Sequence, residues 1–160
     1  ITHAERWRSG WPQDLLAMRA DLLIFAFGTN EAFDPRPDPA RAEAAWARVL
    51  DAARRALPRA GLLLLGAPDA LRPGALQTEA ETESDCGRPL WLGLAQRMQR
   101  RQAQAAQAAW WPWQDAMGGP CTARRWQAEG LMAPDGVHFT PAGYARAARQ
   151  LADSLARLAG

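Results

Sequence analysis

The chain lacks several residue types and patterns, and each absence narrows what the protein can be. All 19 basic residues are arginines, because lysine does not occur in the 160 residues. No apolar run reaches the roughly 18 residues that a membrane helix needs. The two cysteines, Cys86 and Cys121, are far apart and show none of the CxxC or Cys/His spacings of a zinc site. The sequence therefore indicates neither a membrane-spanning segment nor a structural zinc site.

The composition is that of an ordinary globular protein. It is 48% hydrophobic and 22% charged, with a net charge of +2, and these values exclude a disordered chain. The length suits about one domain with a core of its own. The arginines are interleaved with alanines, as in residues 41–60, and are expected on solvated helix faces. Because a nucleic-acid surface needs basic residues concentrated on one face, we expect no nucleic-acid partner.

The two cysteines leave two interpretations open. They are either a pair of free, buried thiols or, if the protein is exported, a single disulfide. Both lie in loops rich in glycine and proline rather than in core elements. A bond between Cys86 and Cys121 requires their Cα atoms to lie within about 7 Å of each other.

Helical and strand-like segments alternate along the chain. Residues 21–28 (DLLIFAFG) and 61–68 (GLLLLGAP) are short apolar runs, as expected of parallel strands that are buried on both faces. The segment WWPW at 110–113 predicts either a short third strand or an extended segment. Strands separated by helices predict the α/β class with a parallel sheet.

Two helix starts can be located from the sequence. Asp38 followed by Pro39 predicts an N-cap and a first turn, and the helix that follows has an apolar stripe. Thr140 followed by Pro141 predicts the start of the last helix in the same way. The expected inward stripe of that last helix consists of Tyr144, Ala148, Leu151, Leu155 and Leu158. Between these helices, the acidic residues Glu79, Glu81 and Glu83 are expected in an exposed loop.

The segment FGTNE, residues 27–31, comes directly after the first predicted strand. Ligands of parallel α/β sheets bind at the carboxyl ends of the strands, so this turn is a candidate site. Gly28 relieves crowding where the chain leaves the sheet, and Asn30 can aim a neutral amide donor at a developing oxyanion. Because glycine and asparagine are also common turn residues, this motif alone is weak.

The segment PDGVHFTPAGY, residues 134–144, places Asp135 three positions before His138 in the loop that precedes the last helix. A carboxylate at that spacing can accept the Nδ1 proton of the imidazole and leave the other ring nitrogen as a general base. We therefore expect the two side chains to lie within hydrogen-bond reach. We also expect the ring of His138 to face the same crevice as Asn30.

Together the two segments resemble those of the SGNH/GDSL hydrolases, and the resemblance extends from Trp11 to Leu158. It implies a three-layer, flavodoxin-like α/β/α sandwich and an esterase that needs no metal or cofactor. It also implies that Asp135 and His138 are triad members and that Asn30 and Gly28 belong to the oxyanion block. The stretch WQDAMGGPCTARRW, residues 113–126, resembles exported bacterial members that remove acetyl groups from peptidoglycan or related polysaccharides. By resemblance, then, the substrate is an acetylated glycan or a small ester, and the location is the periplasm.

The chain departs from the family in lacking the Gly-Asp-Ser motif that carries the nucleophile. Its serines are Ser9, Ser84 and Ser154, and none resembles that nucleophile. Ser9 lacks a preceding strand and the aspartate, Ser84 is in the acidic loop, and Ser154 lies inside the predicted last helix. We therefore expect the nucleophile outside this chain, with residues 1–160 as the carboxy-terminal portion of one hydrolase domain. An N-terminal segment of the same parent protein, carrying the first strands and the serine, would then be its partner.

A second function remains open at this stage. The chain could be an inactive carbohydrate-binding or assembly module that keeps remnants of the triad on the same scaffold. Its eight tryptophans favour this alternative, because aromatic faces stack on sugars. However, Trp46 and Trp91 lie on helical stripes, where tryptophan more often belongs to the core.

Overall fold

The computed structural model describes residues 11–74 and 86–159, with side chains up to Arg157. The predictions for Glu79, Glu81, Glu83, Ser9 and Ser84 lie outside the described residues. Within them, the helices are α1 (Trp11–Met18), α2 (Thr29–Ala32), α3 (Pro39–Ala56), α4 (Leu92–Ala105), α5 (Trp113–Ala116), α6 (Ala123–Ala128) and α7 (Pro141–Ala159). The strands are β1 (Leu22–Phe25), β2 (Gly61–Leu65) and β3 (Ala109–Trp111).

The chain divides into two compact units. The described residues of Ile1–Ala67 and Trp91–Trp111 form the first unit, and those of Pro68–Leu90 and Pro112–Gly160 form the second. The first unit contains the three strands and helices α1 to α4, and the second contains helices α5 to α7.

The three strands form one parallel sheet in the order β1-β2-β3. In its register Leu23 lies opposite Leu62, and Leu64 lies opposite Trp110. The parallel sheet and the helices between its strands confirm the predicted α/β class. They also bring the carboxyl ends of β1 and β2 to the same edge of the sheet.

The apolar core of the first unit surrounds Trp46, which is completely buried on α3. Phe27 contacts the Trp46 ring edge-on, with 5.6 Å between the ring centroids. The predicted N-cap of α3 is confirmed, because Arg41 N–H donates to Asp38 Oδ1 at 3.0 Å. The predicted stripe of α3 comprises Ala42, Ala45, Trp46, Val49, Ala53 and Leu57; the first five are buried, whereas Leu57, just after the helix, is partly buried.

The prediction that both apolar strands are buried on both faces is right for β2 and wrong for β1. Every β2 residue after Gly61 is buried. In β1 burial alternates, and the exposed residues Leu22 and Ile24 keep 42% and 47% of their accessible surface. The difference follows from sheet position, because β2 has a strand on each side, whereas β1 is at the end of the described sheet.

The start of α7 is as predicted, but its buried face is not. Thr140 Oγ1 accepts a hydrogen bond from Gly143 N–H at 3.2 Å, as expected of a cap. Among the residues of α7 whose side chains are described, those buried are Gly143 and Ala147. Of the predicted stripe, Tyr144 is half exposed, Ala148 is exposed, Leu151 and Leu155 are partly buried, and the side chain of Leu158 lies outside the described residues. A Cβ at Gly143 would lie 1.9 Å from Leu131 O, so the backbones approach too closely there for any side chain. Large apolar residues were therefore the wrong markers of this contact.

The second unit has a smaller apolar core around Trp126 and Phe139. Trp126 Nε1–H donates to Met117 O at 2.9 Å, which satisfies the polar atom of this buried ring. The Trp113 ring stacks on Phe139, with the two planes 8° apart.

A disulfide between Cys86 and Cys121 also stabilises the second unit. The Cα atoms of the pair are 5.4 Å apart, within the range that such a bond requires. Of the two interpretations of the cysteines, the disulfide is confirmed and the pair of free thiols is wrong.

Candidate active site

Asp135 and His138 form a hydrogen-bonded pair in the loop before α7. His138 Nδ1 lies 2.7 Å from Asp135 Oδ2, which confirms the predicted contact. The other carboxylate oxygen, Oδ1, accepts the backbone N–H groups of Val137 and His138, each at 2.9 Å. The carboxylate thereby fixes both the turn and the imidazole, and it favours the tautomer with the proton on Nδ1.

The pair is open to solvent, with 72% of the His138 side chain and 49% of the Asp135 side chain exposed. The hydrogen bond from the His138 ring, followed by the one from its backbone N–H, lowers the pKa of Asp135 from 3.8 to about 2. Asp135 therefore stays ionised at all ordinary pH values. An ionised carboxylate at Nδ1 can stabilise an imidazolium that forms on the same ring.

The loop that carries the pair is held by a close contact with the chain after β2. Leu71 N–H donates to Gly136 O at 2.9 Å, in the middle of the Asp-x-x-His segment. Gly136 has φ of +68°, and a Cβ there would lie 2.8 Å from Leu71 Cβ. Only glycine fits this position, because it supplies the left-handed backbone and leaves room for Leu71.

Asn30 belongs to the first unit, whereas the Asp135–His138 pair belongs to the second. It is an exposed residue in the short helix α2, which begins where the chain leaves β1. Gly28 precedes this helix with φ of +110°, and its N–H donates to Glu31 Oε2 at 3.0 Å. The structure thus shows Gly28 shaping the turn that presents Asn30, and the oxyanion roles of both residues stay predictions.

Ser154 is the one serine within the described residues, and the prediction that it is not the nucleophile stays a prediction. It lies inside α7, and its hydroxyl donates to Gln150 O at 2.8 Å, one turn earlier in the same helix. The described residues also hold no group of three or more His, Cys, Asp or Glu side chains that could bind a metal ion.

Sequence reasoning missed Asp69, which is completely buried just after β2 in the second unit. Arg88 Nε donates to its Oδ1 at 2.7 Å, and Gln114 Nε2 donates to the same oxygen at 3.0 Å. The N–H of Ala123 donates to Oδ2 at 3.0 Å. A buried aspartate in a Pro-Asp turn gives no periodic signal, so only its position after a strand could have drawn attention to it.

Sequence reasoning also missed Gln99, a completely buried residue of α4 in the first unit. Its side-chain amide makes hydrogen bonds to backbone groups just beyond the ends of both β1 and β2. A single glutamine in a helix rich in Gln and Arg carries no signal of burial, because its neighbours Gln96, Gln102 and Gln104 look alike in sequence.

None of the helices within residues 11–74 and 86–159 is both long and apolar enough to cross a membrane. The sequence matches the GDSL-like lipase/acylhydrolase family over residues 2–146. The chain therefore belongs to this family. Among curated proteins, no sequence matches it significantly.

Three solved structures illustrate the likeness. A peptidoglycan O-acetylesterase structure is 43% identical, with a TM-score of 0.87 over 96% of this chain and 42% of that one. An acetylxylan esterase from Geobacillus stearothermophilus is 17% identical, with a TM-score of 0.63 over 91% of this chain and 64% of the other. A carbohydrate acetylesterase from Sinorhizobium meliloti is 17% identical, with a TM-score of 0.63 over 94% and 67%.

These likenesses confirm the predicted SGNH/GDSL family and its α/β fold with a parallel sheet flanked by helices. The chain spans less than half the length of the peptidoglycan O-acetylesterase and about two thirds of the other two structures.

Proposed function

We propose that the protein hydrolyses carboxylic esters as an O-acetylesterase, with Asp135 and His138 serving a serine that lies outside this chain. The observation that carries the proposal is the 2.7 Å contact between His138 Nδ1 and Asp135 Oδ2 in a chain of the GDSL-like family. This is the arrangement that orients a histidine as a general base. Residues 1–160 are then the carboxy-terminal portion of a single hydrolase domain.

In this reaction the serine hydroxyl attacks the ester carbonyl while His138 Nε2 takes its proton. The tetrahedral intermediate collapses, and the imidazolium returns the proton to the departing alcohol oxygen. Water then attacks the acyl-serine by the same route, which releases the acid and restores the serine. Asp135 remains ionised throughout, because its lowered pKa of about 2 is far below neutral pH.

Asn30 is proposed as a donor to the oxyanion that forms in both steps. An amide does not titrate, so it stabilises the negative charge equally at every working pH. Its exposure on the first turn after β1 leaves the side chain accessible to a substrate. Gly28 contributes to the same block by giving the turn its left-handed backbone.

The proposed substrate is an acetylated glycan, and the proposed location is outside the cytoplasm. The identity of 43% with a peptidoglycan O-acetylesterase supports the substrate class. The disulfide between Cys86 and Cys121 supports export, because such bonds persist mainly in oxidising compartments. No metal or nucleic acid takes part in the proposal.

The proposed partner is an N-terminal segment of the same parent protein, which would add strands and the serine. Exposed Leu22 and Ile24 on β1 support it, since parallel strands are usually buried on both faces. Pairing of a further strand with β1 should slow hydrogen exchange of the backbone amides of Leu22–Phe25.

The test is acetate release from an acetylated glycan, or turnover of a chromogenic acetyl ester. The 160-residue chain alone should be no faster than background, and joining it to its natural upstream sequence should give activity. In the joined protein His138→Ala should lower kcat about 10⁴-fold or more. Asn30→Ala should lower it by about 10²- to 10³-fold, the usual loss for one oxyanion donor.

The chain's other histidine provides the matched control, and His3→Gln should leave kcat within about twofold. Activity of the isolated chain that survives His138→Ala would overturn the proposed site. A joined protein that binds acetylated glycan but never releases acetate would instead favour the inactive carbohydrate-binding module.

A further inference from the structure

Gln99 is a buried polar side chain of the first unit. It projects from α4 and is completely buried, 72 residues away from Phe27 in sequence. Burial of an amide is unfavourable unless its donors and acceptor are paired. The Gln99 amide therefore needs hydrogen-bond partners inside the fold.

Both polar atoms of the Gln99 amide make hydrogen bonds to backbone groups at or just beyond the strand ends. Nε2 donates to Phe27 O at 2.6 Å, just beyond β1, and more weakly to Leu65 O at 3.4 Å, the last residue of β2. Oε1 accepts the N–H of Ala67 at 3.0 Å. The two carbonyls and the N–H fix which amide atom is which. One side chain thus ties together the carboxyl ends of two neighbouring strands.

The same amide packs directly against Gly28. A Cβ at Gly28 would lie 2.6–2.7 Å from Nε2, Cδ and Oε1 of Gln99, so the glycine backbone rests directly on the amide group. Gly28 is also the residue whose N–H, bonded to Glu31, begins the helix α2 that carries Asn30. A shift of the amide therefore moves the base of the turn two residues before Asn30.

We propose that Gln99 is a positioning residue, which fixes the chain at the end of β1 and thereby the position and orientation of the Asn30 side chain. This inference rests on the proposed esterase function. An oxyanion donor is effective only when its distance to the developing charge is held to a few tenths of an ångström. A misplacement of about 1 Å can cost about a hundredfold in rate. Gln99 is completely buried and therefore out of reach of a substrate, so its effect should pass through Asn30.

A double-mutant cycle in the joined, full-length protein tests the inference. Gln99→Met has nearly the same length but cannot make the three hydrogen bonds, and it should lower kcat by about ten- to a hundredfold with KM within about twofold. In the Asn30→Ala background the same substitution should cost less than about threefold, because the group that it positions is gone.

Gln96 provides the matched control, since it lies on α4 one turn earlier and its Nε2 donates to Ala67 O at 2.8 Å. Its hydrogen bond is to the chain just after β2, whereas that of Gln99 to Phe27 O reaches the end of β1, so Gln96→Met should leave kcat within about threefold. Losses from Gln99→Met and Asn30→Ala that multiply, or an unchanged kcat in Gln99→Met, would overturn the inference.

A second variant decides the matter if Gln99→Met does not fold. Gln99→Glu keeps an acceptor for Ala67 N–H, and burial favours its protonated form, which can donate to Phe27 O. It should retain more of the kcat than Gln99→Met retains, and its residual loss should likewise vanish in the Asn30→Ala background. Multiplying losses in this cycle would also overturn the inference. His138→Ala in the same assay distinguishes failure of the proposed function from failure of this inference. If His138→Ala stays active, the proposed function is wrong, whatever the result of the Gln99 cycle.

Discussion

The two units of the chain are stabilised by different means. The first unit has a parallel sheet, whose strands satisfy one another's backbone groups, and an apolar cluster of 14 buried residues. The described part of the second unit has no strand in that sheet, and its apolar cluster comprises six buried residues. The second unit instead has a disulfide and a buried carboxylate with three donors.

In the second unit, a disulfide and a buried carboxylate hold loops in place where the first unit has a sheet. The disulfide and the Asp69 network join the same two stretches of chain, near residues 86–88 and 121–123. Each joins segments far apart in sequence without requiring regular structure. The Asp135–His138 loop lies in this unit, and it is held by the Asp135 carboxylate together with individual backbone bonds, such as that from Ala133 N–H to His138 O at 2.8 Å.

The largest expected effect is that of removing the disulfide. The double variant Cys86→Ser/Cys121→Ser opens a cross-link between residues 35 positions apart, and its free energy of unfolding should fall by about 4 kcal/mol. Chemical denaturation monitored by tryptophan fluorescence measures the change. The reduced wild-type protein is the control and should match the double variant. An unchanged midpoint would mean that the cross-link adds nothing to the second unit.

Loss of the buried carboxylate should have the next largest effect. Asp69→Ala leaves the partly exposed Arg88 and the buried N–H of Ala123 without their acceptor. Stability should fall by about 3 kcal/mol, toward the lower end for a broken buried pair, because solvent can still reach Arg88.

Asp153→Ala is the matched control, since Asp153 is an exposed residue of α7, and its effect should stay within about 0.5 kcal/mol. Equal losses in the two variants would show that burial of Asp69 does not matter. The unfolding free energy from urea titration distinguishes the cases.

The parts of the protein that sequence could predict are those with a local signal. The Asp135–His138 contact spans three residues, the Asp38 cap also spans three, and the β2 run is continuous. Each pattern is contained in one short window, so the printed sequence is enough to recognise it.

The parts that sequence could not predict depend on distant contacts. Gln99 meets Phe27 across 72 residues, and Asp69 meets Ala123 across 54. The exposed face of β1 depends on which strands neighbour it, and the buried face of α7 depends on a backbone approach at Gly143. Whether a polar residue is buried, or a strand is at the end of a sheet, is a property of the fold that no local window contains.

The contact between Gly136 and Leu71 can be isolated by comparison with Gly130. Both glycines are left-handed, with φ of +68° and +70°, but a Cβ at Gly130 would have nothing within 4 Å. Alanine at Gly130 therefore meets only the backbone cost, about 1 kcal/mol. At Gly136 it also meets Leu71, so Gly136→Ala should be less stable than Gly130→Ala by a further 1–2 kcal/mol or so.

Thermal or urea denaturation of both variants measures that difference. Equal destabilisation would show that the close approach to Leu71 is easily relaxed. In that case the loop of the second unit would be less dependent on particular contacts than the structure indicates.

The smallest expected effect concerns the charge of Asp135 itself. The hydrogen bond from the His138 ring is the largest cause of its lowered pKa, followed by the backbone N–H of His138. His138→Ala removes the first and keeps the second, so the pKa of Asp135 should rise from about 2 part of the way toward 3.8. The carboxyl carbon shift of Asp135, followed by NMR on the 160-residue chain between pH 1.5 and 6, measures the change.

The sign of the accompanying stability change follows from the lowered pKa. A carboxylate that titrates at a lower pH in the folded chain adds stability that is fully present above about pH 3.8 and is lost as the pH falls through about 2. The effect is small because both side chains are largely exposed, so solvent screens the pair. A pKa that stays near 2 in His138→Ala would assign the shift to the backbone N–H groups of the turn. The side-chain contact would then orient the imidazole without changing the charge of its partner.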